Sequence, residues 1–136
     1  MPTATVKWVD ALQFVGTDEG GHSVVLSGDD RQAGVRPSEM LLVALASCSA
    51  VDVVDIMKKK RKPLTKLEIV IHGERDPEPP WPYRKIEVTY QVQGKGLTEK
   101  AVAQAIELST EKYCSVAATV RGVADIQTRF TILPES

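Results

Sequence analysis

Residues 35–57, VRPSEMLLVALASCSAVDVVDIM, decide the fold. Within them Met40 to Val51 carries no charge, and only the small side chains of Ser47, Cys48 and Ser49 interrupt the apolar run. A stretch with no polar face predicts a helix that is buried all round. Pro37 suits the first turn, where no backbone donor is needed, and Glu39 lies near the positive end of the helix dipole. After Val51 the pattern turns amphipathic, with Asp52 and Asp55 set among valines. Lys58-Lys59-Lys60-Arg61-Lys62 and then Pro63 form a stop signal, since cations favour the C-terminal end and proline cannot continue the helix. The predicted helix is about 25 residues long, unusual in so small a chain. One small sheet cannot cover it, which predicts a symmetric dimer that sandwiches two copies of the helix. The uncharged run is shorter than the roughly 20 residues that cross a bilayer, so no membrane span is expected.

Outward from the helix, the pattern changes to a period of two. Ala4, Val6 and Trp8 alternate with Thr5 and Lys7, Leu12 to Val15 forms a second run, and His22 to Ser27 a third. Gly20-Gly21 suits the hairpin between the last two. Beyond the helix, Leu67, Ile69 and Ile71 mark a strand, the proline-rich residues 74–83 a loop, and Ile86, Val88, Tyr90 and Val92 another strand. Thr98 can cap a second helix with Val102, Ala105, Ile106 and Tyr113 on its apolar face. Cys114 falls at or just past its end, Val116 to Val120 reads as a short helical turn, and Ile126 to Ile132 as the last strand. Strands in runs predict an α+β fold with antiparallel or mixed sheets, one domain over residues 1–136.

Composition removes several function classes. The 136 residues carry a net charge of −1, so there is no basic excess of the kind nucleic-acid binders show. The basic run Lys58 to Lys62 is accounted for by the helix terminus, and no nucleic-acid partner is expected. Gly94-Lys95-Gly96 has Glu99 in place of the third glycine of a dinucleotide loop, and neither a P-loop nor a GxSxG elbow occurs. His22 and His72 stand apart, and two cysteines do not make a zinc site, so neither cofactor nor metal is expected. No basic segment followed by an apolar run opens the chain, which predicts a cytoplasmic protein.

The remaining chemistry is Cys48 and Cys114, 66 positions apart. Cys48 lies inside the greasy helix and Cys114 at the junction after the second. Spacing alone leaves two readings open, inert core residues or a redox pair.

VRPSEMLLVALASCSAVDVVDIM together with the later STEKYCSVAATV resembles the OsmC/Ohr superfamily of thiol-dependent hydroperoxide reductases and their relatives. The resemblance spans nearly the whole chain. It implies the OsmC-like fold, with sheets packed around a long central helix in an intertwined homodimer, and active sites at the subunit interface. It implies that Cys48 corresponds to the peroxidatic cysteine and Cys114 to the resolving one. The expected partners are an organic hydroperoxide and an external dithiol reductant. An alternative keeps the dimer but not the catalysis: it binds a small apolar ligand or senses oxidants through the same thiols.

The resemblance further implies a glutamate at the start of the cysteine helix, paired with an arginine from the N-terminal strands. Glu39 is taken as that glutamate. Nine residues along a helix is about 13.5 Å, so it can approach only Cys48 of the partner subunit. No arginine precedes Arg31, and the cation that would favour the Cys48 thiolate is sought among Lys7, Arg31, Arg36 and Arg121. Asp52 and Asp55, four and seven residues after Cys48, would oppose that thiolate unless a cation compensates. Leu41, Ala44, Leu45 and Val51 share the Cys48 side of the helix and are expected to line an apolar substrate pocket.

Overall fold

Ten elements follow the predicted order of strands and helices in the computed structural model, which describes residues 2–29 and 33–135. The chain divides into two compact units, Met1–Leu41 and Leu42–Ser136.

The first unit is built from alternating short runs. Strands β1 (Thr5–Asp10), β2 (Gln13–Thr17) and β3 (Ser23–Ser27) form an antiparallel meander in the order β1-β2-β3. Trp8 pairs with Phe14, and Gly16 with Val24. The hairpin between β2 and β3 turns at Gly21, whose φ of 86° favours glycine. Trp8 Nε1 donates to the Ala11 carbonyl at 2.7 Å across the other turn.

The long helix α1 (Pro37–Lys59) spans 23 residues, close to the predicted length. It ends in a Schellman motif. Lys62 N–H donates to the Met57 carbonyl at 3.0 Å and Arg61 N–H to Lys58 at 3.0 Å, with Arg61 left-handed at φ 61°. The expectation of burial all round holds on one stripe only. Leu45, Ser49, Val53 and Met57, four residues apart, are buried, while Val43, Val51 and Val54 stay exposed in the single chain. The helix as a whole, unlike its uncharged segment, is long and apolar enough to cross a membrane by length and composition.

In the second unit β4 (Lys66–Arg75), β5 (Tyr83–Gln93) and β6 (Asp125–Ile132) make a mixed sheet in the order β4-β5-β6. β4 and β5 run antiparallel and β5 and β6 parallel, the parallel step being bridged by helical segments. Those are α2 (Glu99–Leu108), a π-turn (Ser109–Tyr113) and α3 (Ser115–Val120). Thr98 caps α2 as predicted, its hydroxyl accepting from Ala101 N–H at 3.1 Å. Ile86, Val88, Tyr90 and Val92 of β5 turn inward and, with Val53, Met57, Val102, Ala105 and Ile106, form the core. Tyr113 does not join them. The π-turn inserts extra backbone before it and rotates the register, which leaves Tyr113 exposed and Cys114 buried.

Candidate active site

Cys48 is half-buried on α1, beside the buried stripe, and packs against the core. Cys114 is only 2% exposed. Two local features place it. Its N–H closes the π-turn on the Ser109 carbonyl at 2.8 Å, and its sulfur caps α3, accepting from Ala117 N–H at 3.4 Å. Burial pushes the Cys114 thiol up to about 11, and a hydrogen bond with the Cys48 thiol adds to the rise. The backbone donors of Ala117 and Val116 pull the other way, but burial wins. The two sulfurs that sequence separates by 66 positions are therefore neighbours, and burial disfavours the Cys114 thiolate.

Asp52 has a hydrogen-bond partner that helical spacing does not suggest. Its carboxylate accepts from the Ser109 hydroxyl at 3.0 Å. Ser109 Oγ also lies 2.9 Å from Ser49 Oγ, and Ser49 Oγ 2.5 Å from the Tyr90 hydroxyl. Burial pushes Tyr90 above the usual tyrosine range, as do the charges of Cys114 and Asp52, against a hydrogen bond with Ser49 that lowers it. Asp55 is answered by Lys59 at 2.9 Å. Asp55 thus has a cation of its own, whereas the neutral Ser109 hydroxyl orients Asp52 without cancelling its charge.

The apolar lining differs from the predicted one. Leu45 is consumed by the core, and Val51 is 70% exposed. A groove of about 310 Å³ lies instead along Val43, Ala46, Ser47 and Ala50 of α1 and Leu67, Ile69 and Ile71 of β4. Among the described residues no cluster of three or more His, Cys, Asp and Glu side chains could hold a metal.

The OsmC-like protein family matches residues 28–129. The chain belongs to the OsmC family. Protein YhfA of Escherichia coli strain K12 is 37% identical over 130 residues, 96% of this chain and 97% of YhfA. A hypothetical protein from Aquifex aeolicus VF5 superposes with a TM-score of 0.90 at 33% identity, over 100% of this chain and 98% of that one. The organic hydroperoxide resistance protein OhrB of Bacillus subtilis shares the fold, with a TM-score of 0.65 at 17% identity over 96% and 98% of the two chains.

Against the OsmC pattern, the cations stand as follows. Arg36 Nε lies 4.0 Å from Glu39 Oε2, an ion pair one helical turn apart on exposed side chains. Arg121 reaches Glu111 at 3.8 Å and donates to the Thr110 carbonyl. Lys7 projects from the exposed strand β1. Arg31 lies outside the described residues. Sequence reasoning missed Ser109 and Tyr90 altogether. The signal for Tyr90 was present, because a tyrosine on the inward side of an alternating strand needs a buried partner for its hydroxyl.

Proposed function

We propose that this OsmC protein reduces organic hydroperoxides with Cys48 as the attacking thiol and Cys114 as the resolving thiol. The observation that carries this reading is the asymmetric pair: a half-exposed Cys48 next to a buried, protonated Cys114. The Cys48 thiolate attacks the distal peroxide oxygen. The O–O bond breaks, the alcohol leaves with a proton, and Cys48 becomes a sulfenic acid. Cys114 then displaces the sulfenic hydroxyl as water and a disulfide forms, which an external dithiol reduces by exchange. The name of the Bacillus subtilis structural neighbour, an organic hydroperoxide resistance protein, fits this chemistry.

The working unit in this reading is a homodimer, in the reducing cytoplasm. Trp8 is 72% exposed, and Val6, Val9, Val43, Val51 and Val54 are exposed with it. Exposed apolar residues in this number on a small chain support an interface. A second copy covers the α1 face, and Glu39 with its Arg36 then faces Cys48 of the partner subunit.

The test is direct. Reduced protein consumes about one equivalent of cumene hydroperoxide and loses two free thiols, by the stoichiometry of a sulfenic acid closing to a disulfide. Cys48→Ser consumes none, and Cys114→Ser stops at the sulfenic acid. Equal consumption by Cys48→Ser overturns the reading. The apolar groove along Val43 and Leu67 favours one rival, a dimer that binds an apolar ligand or senses oxidants. It predicts one disulfide and no sustained turnover when a dithiol is supplied.

A further inference from the structure

A chain of four polar groups runs through the apolar core: Tyr90 hydroxyl, Ser49 Oγ, Ser109 Oγ and Asp52 Oδ2, spaced 2.5, 2.9 and 3.0 Å. Tyr90, Ser49 and Ser109 are all buried. Such groups cost stability in an apolar interior unless every one is satisfied. Each hydroxyl has one proton to give, and an ionised carboxylate only accepts. Ser109 Oγ faces both Ser49 Oγ and Asp52 Oδ2 as donor, so its single proton serves the two, and either hydroxyl of the Ser49–Tyr90 pair can donate to the other. A run of alanine and phenylalanine would fill the same space, but contact between them would not fix one orientation, because apolar attraction is non-directional.

The position of this chain is specific. Ser49 follows Cys48 on α1. Ser109 opens the π-turn, and its carbonyl receives the N–H of Cys114 at 2.8 Å. One residue, Ser109, thus grips α1 with its side chain, next to Cys48, and Cys114 with its backbone. π-turns often mark functional positions, since they set a side chain where a regular helix would not.

We propose that Ser109, held by Ser49 and Asp52, is a positioning residue that fixes the Cys114 sulfur against Cys48 for disulfide closure. This rests on the reading of Cys48 and Cys114 as a redox pair. In the step it serves, the S–O bond of the Cys48 sulfenic acid breaks and the S–S bond forms. The Cys114 proton leaves with the hydroxyl as water, and the hydroperoxide is the only oxidant. Closure requires a narrow range of sulfur separation and dihedral angle, so a misplacement of about 1 Å slows such a step by about a hundredfold.

The experiment measures the thiol–disulfide equilibrium of the full chain in dithiothreitol buffers, which involves no peroxide. Ser109→Ala removes the hydroxyl and lowers the effective concentration of the pair about tenfold. Ser49→Ala acts in the same direction, and the double variant falls short of the sum because the two share one bond. Ser109→Thr keeps a hydroxyl and restores most of the loss. With cumene hydroperoxide, Ser109→Ala slows closure about tenfold more than it slows sulfenic acid formation. A merely structural serine would lower the melting temperature of reduced and oxidised forms alike and leave their equilibrium within about twofold of the parent, and that result overturns the proposal. Should Ser109→Ala fail to fold, Ser49→Ala decides by the same equilibrium. If no variant, nor the parent, consumes hydroperoxide, the functional reading fails while the equilibrium still judges the positioning. If all consume it and the equilibrium does not move, the function stands and the positioning falls.

Discussion

The two units of the chain place their apolar residues differently. In Leu42–Ser136 the inward residues of α1, α2 and β5 meet one another, and every buried hydrophobic residue among those described belongs to this unit. In Met1–Leu41 the strands β1 to β3 are short apolar runs with alternation at Val6 and Trp8, yet Val6, Trp8, Val9 and Val25 remain exposed, as does Leu12 in the turn between β1 and β2. A three-stranded sheet needs a covered apolar face to be stable. Alternation therefore specifies a strand without specifying what covers it. The second unit carries its cover in its own sequence, and the first leaves these residues exposed in the single chain.

The largest effect that tests this contrast lies in the covered unit. Met57 is fully buried at the C-terminal end of the α1 stripe. Met57→Ala leaves a cavity and is expected to cost about 2–5 kcal/mol in denaturant unfolding. A cost below about 1 kcal/mol, typical of an average substitution, would mean that this unit is not closed on itself.

The contrast of covered and uncovered recurs at the two thiols, and it sets the next effect. Burial raises Cys114 from 9.0 to about 11, which disfavours the thiolate. Each unit lowers the thiolate fraction about tenfold, so at pH 8 Cys114 alkylates about a hundredfold more slowly than an ordinary cysteine. The protection fades as pH rises toward 11. Peptide mass spectrometry of the iodoacetamide-treated, reduced parent protein reads the Cys114 rate separately from that of Cys48. Rapid labelling at pH 8 would place Cys114 in contact with solvent.

Trp8→Glu tests the uncovered side. A carboxylate in place of an exposed tryptophan does little to an isolated chain but cannot be buried unpaired at an interface. Self-association is expected to weaken at least tenfold, about 1.4 kcal/mol, by sedimentation velocity across a dilution series. An unchanged dissociation constant would remove β1 from the interface and break the comparison.

Much of this was legible beforehand. The period of two gave the strands, and the proline, glutamate and lysine signals bounded α1 to within a few residues. Cys48 and Cys114 stood out by placement. What could not be read was the geometry that non-local contacts create. The π-turn has no marker in STEKY, so helical spacing puts Tyr113 on the apolar face, and its exposure is a consequence of that one irregular turn. Asp52 was placed by helical spacing near Cys48, but spacing says nothing of Ser109, which lies 57 positions later and supplies its partner. Leu45, expected to line the substrate pocket, shows the same limit. Sharing a helix face with Cys48 does not prevent Leu45 from being taken up by the core.

The smallest effect separates local stability from assembly. The Thr98 hydroxyl satisfies one of the backbone donors that begin α2, accepting from Ala101 N–H. Thr98→Ala leaves Ala101 N–H to water and is expected to cost about 1 kcal/mol. Because the cap is internal to one chain, its cost should be the same at every protein concentration. That distinguishes it from Trp8→Glu, whose effect enters through the association equilibrium and so grows or shrinks with dilution. Unfolding both variants at two protein concentrations, a hundredfold apart, makes the comparison internal to one experiment. If the Thr98→Ala cost also moved with concentration, α2 would have to form only on association. The division between the unit that closes on itself and the unit left exposed would then have to be redrawn.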